Sequence, residues 1–258
     1  FEDQGGVREV EQLYFDTVQN AARFIYIETQ YLTSRRLGAA LARRLQQPQG
    51  PEVIIILHPN SDGWVEQYTM DVLRARVLKQ LRVSDRFRRL GLYCPHIPGM
   101  ENGCLSVHAK VCIIDDTFVR VGSANLSDRS MGFDTECDLA VEAEGRQDVE
   151  QGIRLFRHRL IAEHLGMDIC DVAQQEIDMR SVLALLEGLR RQEDVRTLKP
   201  FNMQTAPEVD EWVPEADFLD PHRSYEEQLV PEHMRKPAHR QYIVGAASLL
   251  LLLALAAA

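Results

Sequence analysis

A chain of 258 residues, 45% hydrophobic and 26% charged, carries enough apolar material for one large or two small domains and too much for an intrinsically disordered protein. Its formal net charge of −10 argues against broad, non-specific nucleic-acid binding, which needs a basic surface. The cysteines Cys94, Cys104, Cys112, Cys137 and Cys170 are odd in number and include no C-x-x-C pair, so neither a disulfide framework nor a zinc ribbon is indicated. Cys112 and Cys137 lie in apolar runs and are expected as buried free thiols in a reducing, cytosolic setting.

The chain opens on Phe1 with neither an initiator Met nor a signal-peptide pattern, so its start reads as cut. Val7, Val10, Leu13, Tyr14 and Val18 recur at helical spacing and predict an amphipathic helix over 7–22. FIYIETQYL (24–32), aromatic and β-branched, predicts a strand. Leu37, Ala40, Leu41 and Leu45 mark one side of a helix over 35–46, with arginines on the other side. EVIIILHP (52–59) is a short apolar run ended by Pro59, Asn60 and Gly63 and reads as a buried strand. A longer helix is expected over 64–84, a strand over 89–95, and a Pro- and Gly-containing loop over 96–103. VCIID (111–115) and FVRVG (118–122) predict strands joined by a tight turn at Asp115–Asp116–Thr117; CDLAVEA (137–143) predicts one more. Helices are expected over 147–165 and 171–191. This alternation predicts an α/β domain over residues 1–199, a mixed β-sheet flanked by helices, with no internal repeat.

Past Lys199 the composition shifts. TAPEVDEWVPEADFLDP holds six acidic residues, three prolines and no basic residue, so 200–241 is expected to be an extended linker. It ends on a basic patch, RKPAHRQ. From Tyr242 to Ala258 the chain is uncharged and almost purely Leu and Ala. As a helix that run is about 25 Å long against a hydrocarbon core of ~30 Å, so 242–258 is read as the start of a truncated transmembrane helix. A buried terminal helix is the alternative, disfavoured by the lack of a polar face. Positive charge beside the span places the preceding domain on the cytoplasmic side.

The segment HAKVCIIDDTFVRVGSAN, His108 to Asn125, fits the pattern H-x-K-x4-D-x6-G-S-x-N at each fixed position. Cleaving a phosphodiester requires neutralising the phosphoryl oxygens, supplying a nucleophile and supplying an acid for the leaving alkoxide. His108 can act as nucleophile or acid near neutral pH. Lys110, two residues on, is expected on the same strand face, where its ammonium can hold a non-bridging oxygen. Ser123 and Asn125 can donate to the same oxygens from a loop that Gly122 lets approach closely. Asp115 ends a strand and begins a turn, so a structural Asx-type role stands beside a catalytic one. Downstream, Asp134, Glu136 and Asp138 share a face if DTECDL is extended. Glu136 is the choice to orient a histidine, ahead of a metal site built from the three carboxylates. His58, His96, His158 and His164 read as surface or satisfied histidines. No metal or cofactor is called for.

At these residues the chain resembles the phospholipase D superfamily, whose defining element is this His-Lys-Asp motif. GSANLSDRSMGFDTECDLAVEAE (122–144) is similar to the stretch after the second motif of eukaryotic-type members, and FIYIETQYL to the IYIENQYF element preceding it. The resemblance covers roughly residues 8 to 165, as the C-terminal half of such an enzyme, and overall is to bacterial phospholipase D-like proteins with a C-terminal membrane domain. It implies metal-independent, two-step chemistry on a phospholipid: one histidine forms a phosphohistidine, and a second protonates the leaving alcohol. His108 would be that acid, the Glu136 position would orient a catalytic histidine, and Glu28 and Gln30 would line or support the pocket. Only one H-x-K-x4-D occurs here, so a second motif-bearing half is expected, from an upstream segment or a homodimer mate. The alternatives are a superfamily nuclease acting as a homodimer, which the acidic balance disfavours, and a non-catalytic, membrane-anchored fragment. The implied setting is a membrane, the bacterial inner membrane, with the catalytic domain facing the cytoplasm and no nucleic-acid partner.

Overall fold

The computed structural model describes residues 8–58, 64–100, 105–191, 194–201 and 220, giving only the backbone for 64–69 and 178. In chain order its elements are α1 (Glu9–Asn20), β1 (Phe24–Thr29), α2 (Arg35–Gln46), β2 (Glu52–Ile56), α3 (Trp64–Ser84), β3 (Leu90–His96) and β4 (Lys110–Ile114). There follow β5 (Phe118–Gly122), α4 (Asp128–Gly132), β6 (Asp138–Glu142), α5 (Gln147–Leu165), α6 (Ile169–Asp178), α7 (Val182–Leu189) and β7 (Thr197–Pro200). The strands form one sheet in the order β6-β5-β4-β1-β2-β3-β7. β1, β2 and β3 run parallel, while β4, β5, β6 and β7 each run antiparallel to the neighbour they join. This is the mixed sheet the alternation predicts. β1 stands where its parallel and antiparallel parts meet.

Helices cover both faces of the central strands, so the strands read as unbroken apolar runs. On one face Ile25, Ile27, Val53, Ile55, Cys112 and Ile114 pack with Tyr14, Val18, Leu37, Leu41, Leu45, Val77 and Leu81. On the other, Phe24, Tyr26, Ile54, Ile56, Tyr93 and Ile113 meet Ile153, Ile161, Leu165, Val172, Leu185 and Leu186. Asp115 and Asp116 both take positive φ, 55° and 60°, and Thr117 N donates to Ile114 O at 2.9 Å. Three residues thus link the paired Ile114 and Phe118 in a tight turn with two left-handed positions, which Asp is among the residues to tolerate.

Four features depart from the sequence expectations. The helix predicted over 171–191 is two helices, because the backbone turns extended at Met179 and Ser181 caps α7, accepting from Ala184 N at 2.9 Å. α4 is too short for periodicity to reveal. β7 was not anticipated either; it is an edge strand ending on Pro200, a place where proline is tolerated, and Phe201 behind it is buried in the core. Cys112 is buried and its thiol is pushed up to about 12 by burial, but Cys137 is exposed, since it leads into the uncovered edge strand β6. No helix among the described residues is long and apolar enough to cross a membrane. The expected membrane run 242–258 lies outside the described residues, as does the linker apart from Pro200, Phe201 and Asp220.

Candidate active site

Antiparallel pairing of β1 with β4 puts Thr29 opposite Lys110, so the residue after β1 meets the first residue of β4. Lys110 Nζ donates to Gln30 Oε1 at 3.1 Å and to the His108 carbonyl at 2.9 Å. Lys110 is only 6% exposed. Burial lowers its pKa from the ordinary lysine value, and the carboxylate of Glu136 opposes that shift. Both hydrogen-bond acceptors are neutral oxygens, so the ammonium is oriented without being neutralised by a direct ion pair. His108 lies just before β4 and not within it; it is exposed, and its ring makes no hydrogen bond among the described residues.

Beside Lys110, the turn after β5 is folded against the segment leading into β6. Ser123 N donates to Cys137 O at 3.1 Å and Cys137 N to Ser123 Oγ at 2.9 Å, while Ser123 Oγ donates to Glu136. Glu136 is therefore held by Ser123 and acts on Lys110 through its charge; it contacts no histidine of this chain among the described residues. Asn125 is half-buried, and its Oδ1 is buried with no hydrogen-bond partner among the described residues. Gly122 is required by a close approach, though the approaching group belongs to the protein: a Cβ there would lie 1.5 Å from Asp138 Oδ1. Asp138 in turn binds the buried Arg120 at 2.6 Å, and Arg120 also reaches Ala124 O at 3.0 Å and the Tyr14 hydroxyl. Asp134 pairs with Arg129 at 2.7 Å. The carboxylates of 134, 136 and 138 thus serve three different partners and do not converge as a cation site would require. Among the described residues, no cluster of three His, Cys, Asp or Glu is placed to hold a metal ion.

Asp115 is at the opposite end of β4 from Lys110. Its carboxylate accepts from Ala22 N at 2.7 Å and from Arg23 N and Phe24 N at 2.8 Å. It fixes the start of β1, the structural role, and stands a strand's length from Lys110 rather than beside it. Glu28, one strand repeat before Gln30, is buried and accepts from Tyr26 OH at 2.6 Å, with His164 Nε2 at 3.1 Å. Glu28 and Gln30 therefore form no pair with each other. Gln30 touches Lys110, and Glu28 is tied to Tyr26 and His164. The Tyr26 phenol is pushed well up by burial and by the Glu28 carboxylate. His96 and His158 are satisfied by Asp194 and Glu176, at 2.7 and 2.6 Å.

Sequence reasoning did not find Tyr26, His164, Arg120 or Asp220. Tyr26 was within reach of a period-two reading, since it precedes Glu28 by two residues on β1. His164 meets Glu28 across 136 positions of chain, a contact no local pattern encodes.

A family-level match over more than half of the chain places it in the phospholipase D superfamily. Residues 14–160 match the family described as cardiolipin synthase, PLD-like domain, and the chain belongs to that family. It is similar to a phospholipase D of Phytophthora infestans, 27% identical over 207 residues, which cover 61% of this chain and 11% of that protein. Phospholipase D zeta 2 of Arabidopsis thaliana is 23% identical over 218 residues, covering 65% of this chain and 21% of that protein. The chain thus corresponds to between about a tenth and a fifth of the length of these relatives. Among solved structures, the phospholipase D family member Nuc from Salmonella typhimurium is similar at a TM-score of 0.43 and 16% identity, covering 58% of this chain and 86% of that one. The phosphatidylserine synthase of Haemophilus influenzae is similar at a TM-score of 0.47 and 18% identity, covering 60% and 36%.

Proposed function

We propose that this chain is one half of a two-motif phosphodiesterase site that hydrolyses or transfers the phosphatidyl group of glycerophospholipids. The observation that carries the reading is the placement of Lys110, a buried ammonium held by Gln30 and the His108 carbonyl and within electrostatic reach of Glu136, two residues after an exposed His108. An oriented cation of this kind stabilises phosphoryl oxygens as charge builds in the transition state. In the first step a histidine of the second half attacks phosphorus, forming a P–N bond. The bond from phosphorus to the headgroup oxygen breaks, and that oxygen takes its proton from His108. Water or another alcohol then gives its proton back to His108 and displaces the histidine. Lys110 and Asn125 hold the non-bridging oxygens, and Ser123 fixes Glu136. The family and the names of the relatives support a phospholipid substrate. The basic patch and apolar run after residue 234 support a membrane setting with the domain on the cytoplasmic face.

The second half has a surface to meet beside the site. β6 is a sheet edge, and Leu139 and Val141 on it are 76% and 46% exposed, with Val121 of β5, paired to Leu139, at 44%. Bare apolar side chains on an edge strand are ordinarily selected against, and a patch of them marks an interaction surface. This one adjoins Ser123 and Glu136 through the Gly122–Asp138 pair, the side from which a second motif would complete the half-site.

The full-length protein, incubated with phosphatidylcholine or phosphatidylglycerol vesicles, is expected to release the headgroup alcohol; formation of cardiolipin from phosphatidylglycerol would identify transfer. His108→Asn is expected to abolish turnover. No release from either vesicle, with cleavage of single- or double-stranded DNA under the same metal-free conditions, would replace the lipid reading with the nuclease one.

A further inference from the structure

Asp220 is far beyond the sheet in sequence, within the acidic stretch that composition assigns to a solvated linker, yet it is fully buried. Its carboxylate accepts three hydrogen bonds: Thr33 Oγ1 at 2.6 Å, Asp128 N at 2.8 Å and Arg129 N at 2.8 Å. Thr33 is three residues past Gln30, on the loop leaving β1. Asp128 and Arg129 open α4, immediately after the loop bearing Ser123 and Asn125. The same two loops are joined directly, since Thr33 N and Ser34 N donate to Leu126 O at 2.9 and 3.0 Å and Leu32 bridges Leu126.

We propose that Asp220 is a positioning residue for the phosphate site. One carboxylate joins the loop that carries Gln30, the partner of Lys110, to the start of α4, just after the loop that carries Asn125. It holds the β1 exit, with Gln30 against Lys110, in fixed register with the turn that presents Ser123 and Asn125. A carboxylate suits this task because both its oxygens accept, each facing a backbone N–H at the start of α4. Asparagine offers one acceptor oxygen and would set its amide hydrogens against one of those N–H groups. The proposal rests on the phosphate-site reading above, and it makes the competence of that site depend on a residue downstream of the sheet.

The test compares Asp220→Ala and Asp220→Asn with Ser181→Ala in the full-length protein. Ser181→Ala removes the cap of α7 and the Ser181–Glu52 hydrogen bond, remote from the site, and serves as a control for lost capping and side-chain bonding elsewhere. The readouts are the dissociation constant for inorganic phosphate, by calorimetry, and amide exchange over 122–126. Asp220→Ala is expected to weaken phosphate binding by at least about tenfold, the loss typical when a charge-assisted hydrogen-bond set is released, and to speed exchange in that loop. Asp220→Asn falls between, and Ser181→Ala lowers the melting temperature while binding phosphate as the wild type does. If Asp220→Ala does not fold, Thr33→Val removes one of the three bonds and carries the same expectation at smaller size. Wild-type phosphate affinity in whichever of these variants folds would overturn the proposal alone. A wild-type protein that takes up no phosphate would overturn the site reading and the proposal together.

Discussion

Replacing Glu176 with glutamine tests whether the α5–α6 contact is electrostatic. Glu176 on α6 faces two side chains of α5: Arg157 NH2 donates to Oε1 at 2.6 Å, and His158 Nε2 lies 2.6 Å from Oε2. Arg157 is fully buried and also binds both oxygens of Asp116 at 2.8 Å. Burial pushes the Glu176 carboxyl up, but the His158 hydrogen bond and Arg157 outweigh it and hold the group at about 2, against an ordinary 4.5. At about 1.4 kcal/mol per tenfold, that depression corresponds to roughly 3 kcal/mol of folding stability. The native pKa is the lower one, so this stability is complete above the unfolded value of 4.5 and is lost as pH falls towards 2. Glu176→Gln keeps the shape but does not titrate here. In urea denaturation, wild type should exceed Glu176→Gln by up to roughly 3 kcal/mol at neutral pH, and the gap should close through the acid range. A gap that stays constant with pH, or none at neutral pH, would refute the electrostatic account. The contact also bears on β1, because α5 carries His164, which meets Glu28 at 3.1 Å.

Gly122→Ala would put a Cβ 1.5 Å from Asp138 Oδ1 and 2.7 Å from its Cα; a loss of about 1–3 kcal/mol is expected, as for overpacking, and a thermal melt identical to wild type would contradict it. Asp115→Ala strips three backbone N–H groups at the start of β1 of their acceptor, so its urea midpoint should fall by the equivalent of about 1–3 kcal/mol, and an unchanged midpoint would show those bonds to be dispensable. Leu139→Asp, at a position 76% exposed, should leave subunit stability within about 0.5 kcal/mol but abolish association with the second half; persistence of the assembly in sedimentation would move the interface elsewhere.

Local patterns in the sequence were enough to place most of the sheet and its helices. FIYIET and VIII are buried on both faces, and their continuous apolar character shows it; the Asp115–Asp116–Thr117 turn carries its own chemistry. α4 and β7 were invisible because five and four residues are too few for either periodicity to register. At the site, the motif showed that Lys110, Ser123 and Asn125 belong to one region, but not what each touches. That Lys110 meets Gln30 follows from antiparallel pairing of strands 80 residues apart, and that Glu136 meets Ser123 follows from the fold-back of the turn. Asp220 misled composition outright: an acidic, proline-containing stretch is usually solvated, and nothing local marks the one buried carboxylate that finds three donors.

The spacing of the His-Lys-Asp motif acquires a different meaning once β4 is seen whole. Lys110 opens the strand, and Asp115 follows its last residue, so the four intervening residues measure the depth of the sheet, about 16 Å at the rise of a strand. Lys110 and its Gln30 contact stand at one end of this ruler, and Asp115 pins the other to the start of β1. Adding or removing a residue between them would turn Cys112 and Ile114 from one helical layer towards the other. The interval is thus kept by the architecture, and a search that treats it as catalytic geometry is in fact measuring a strand.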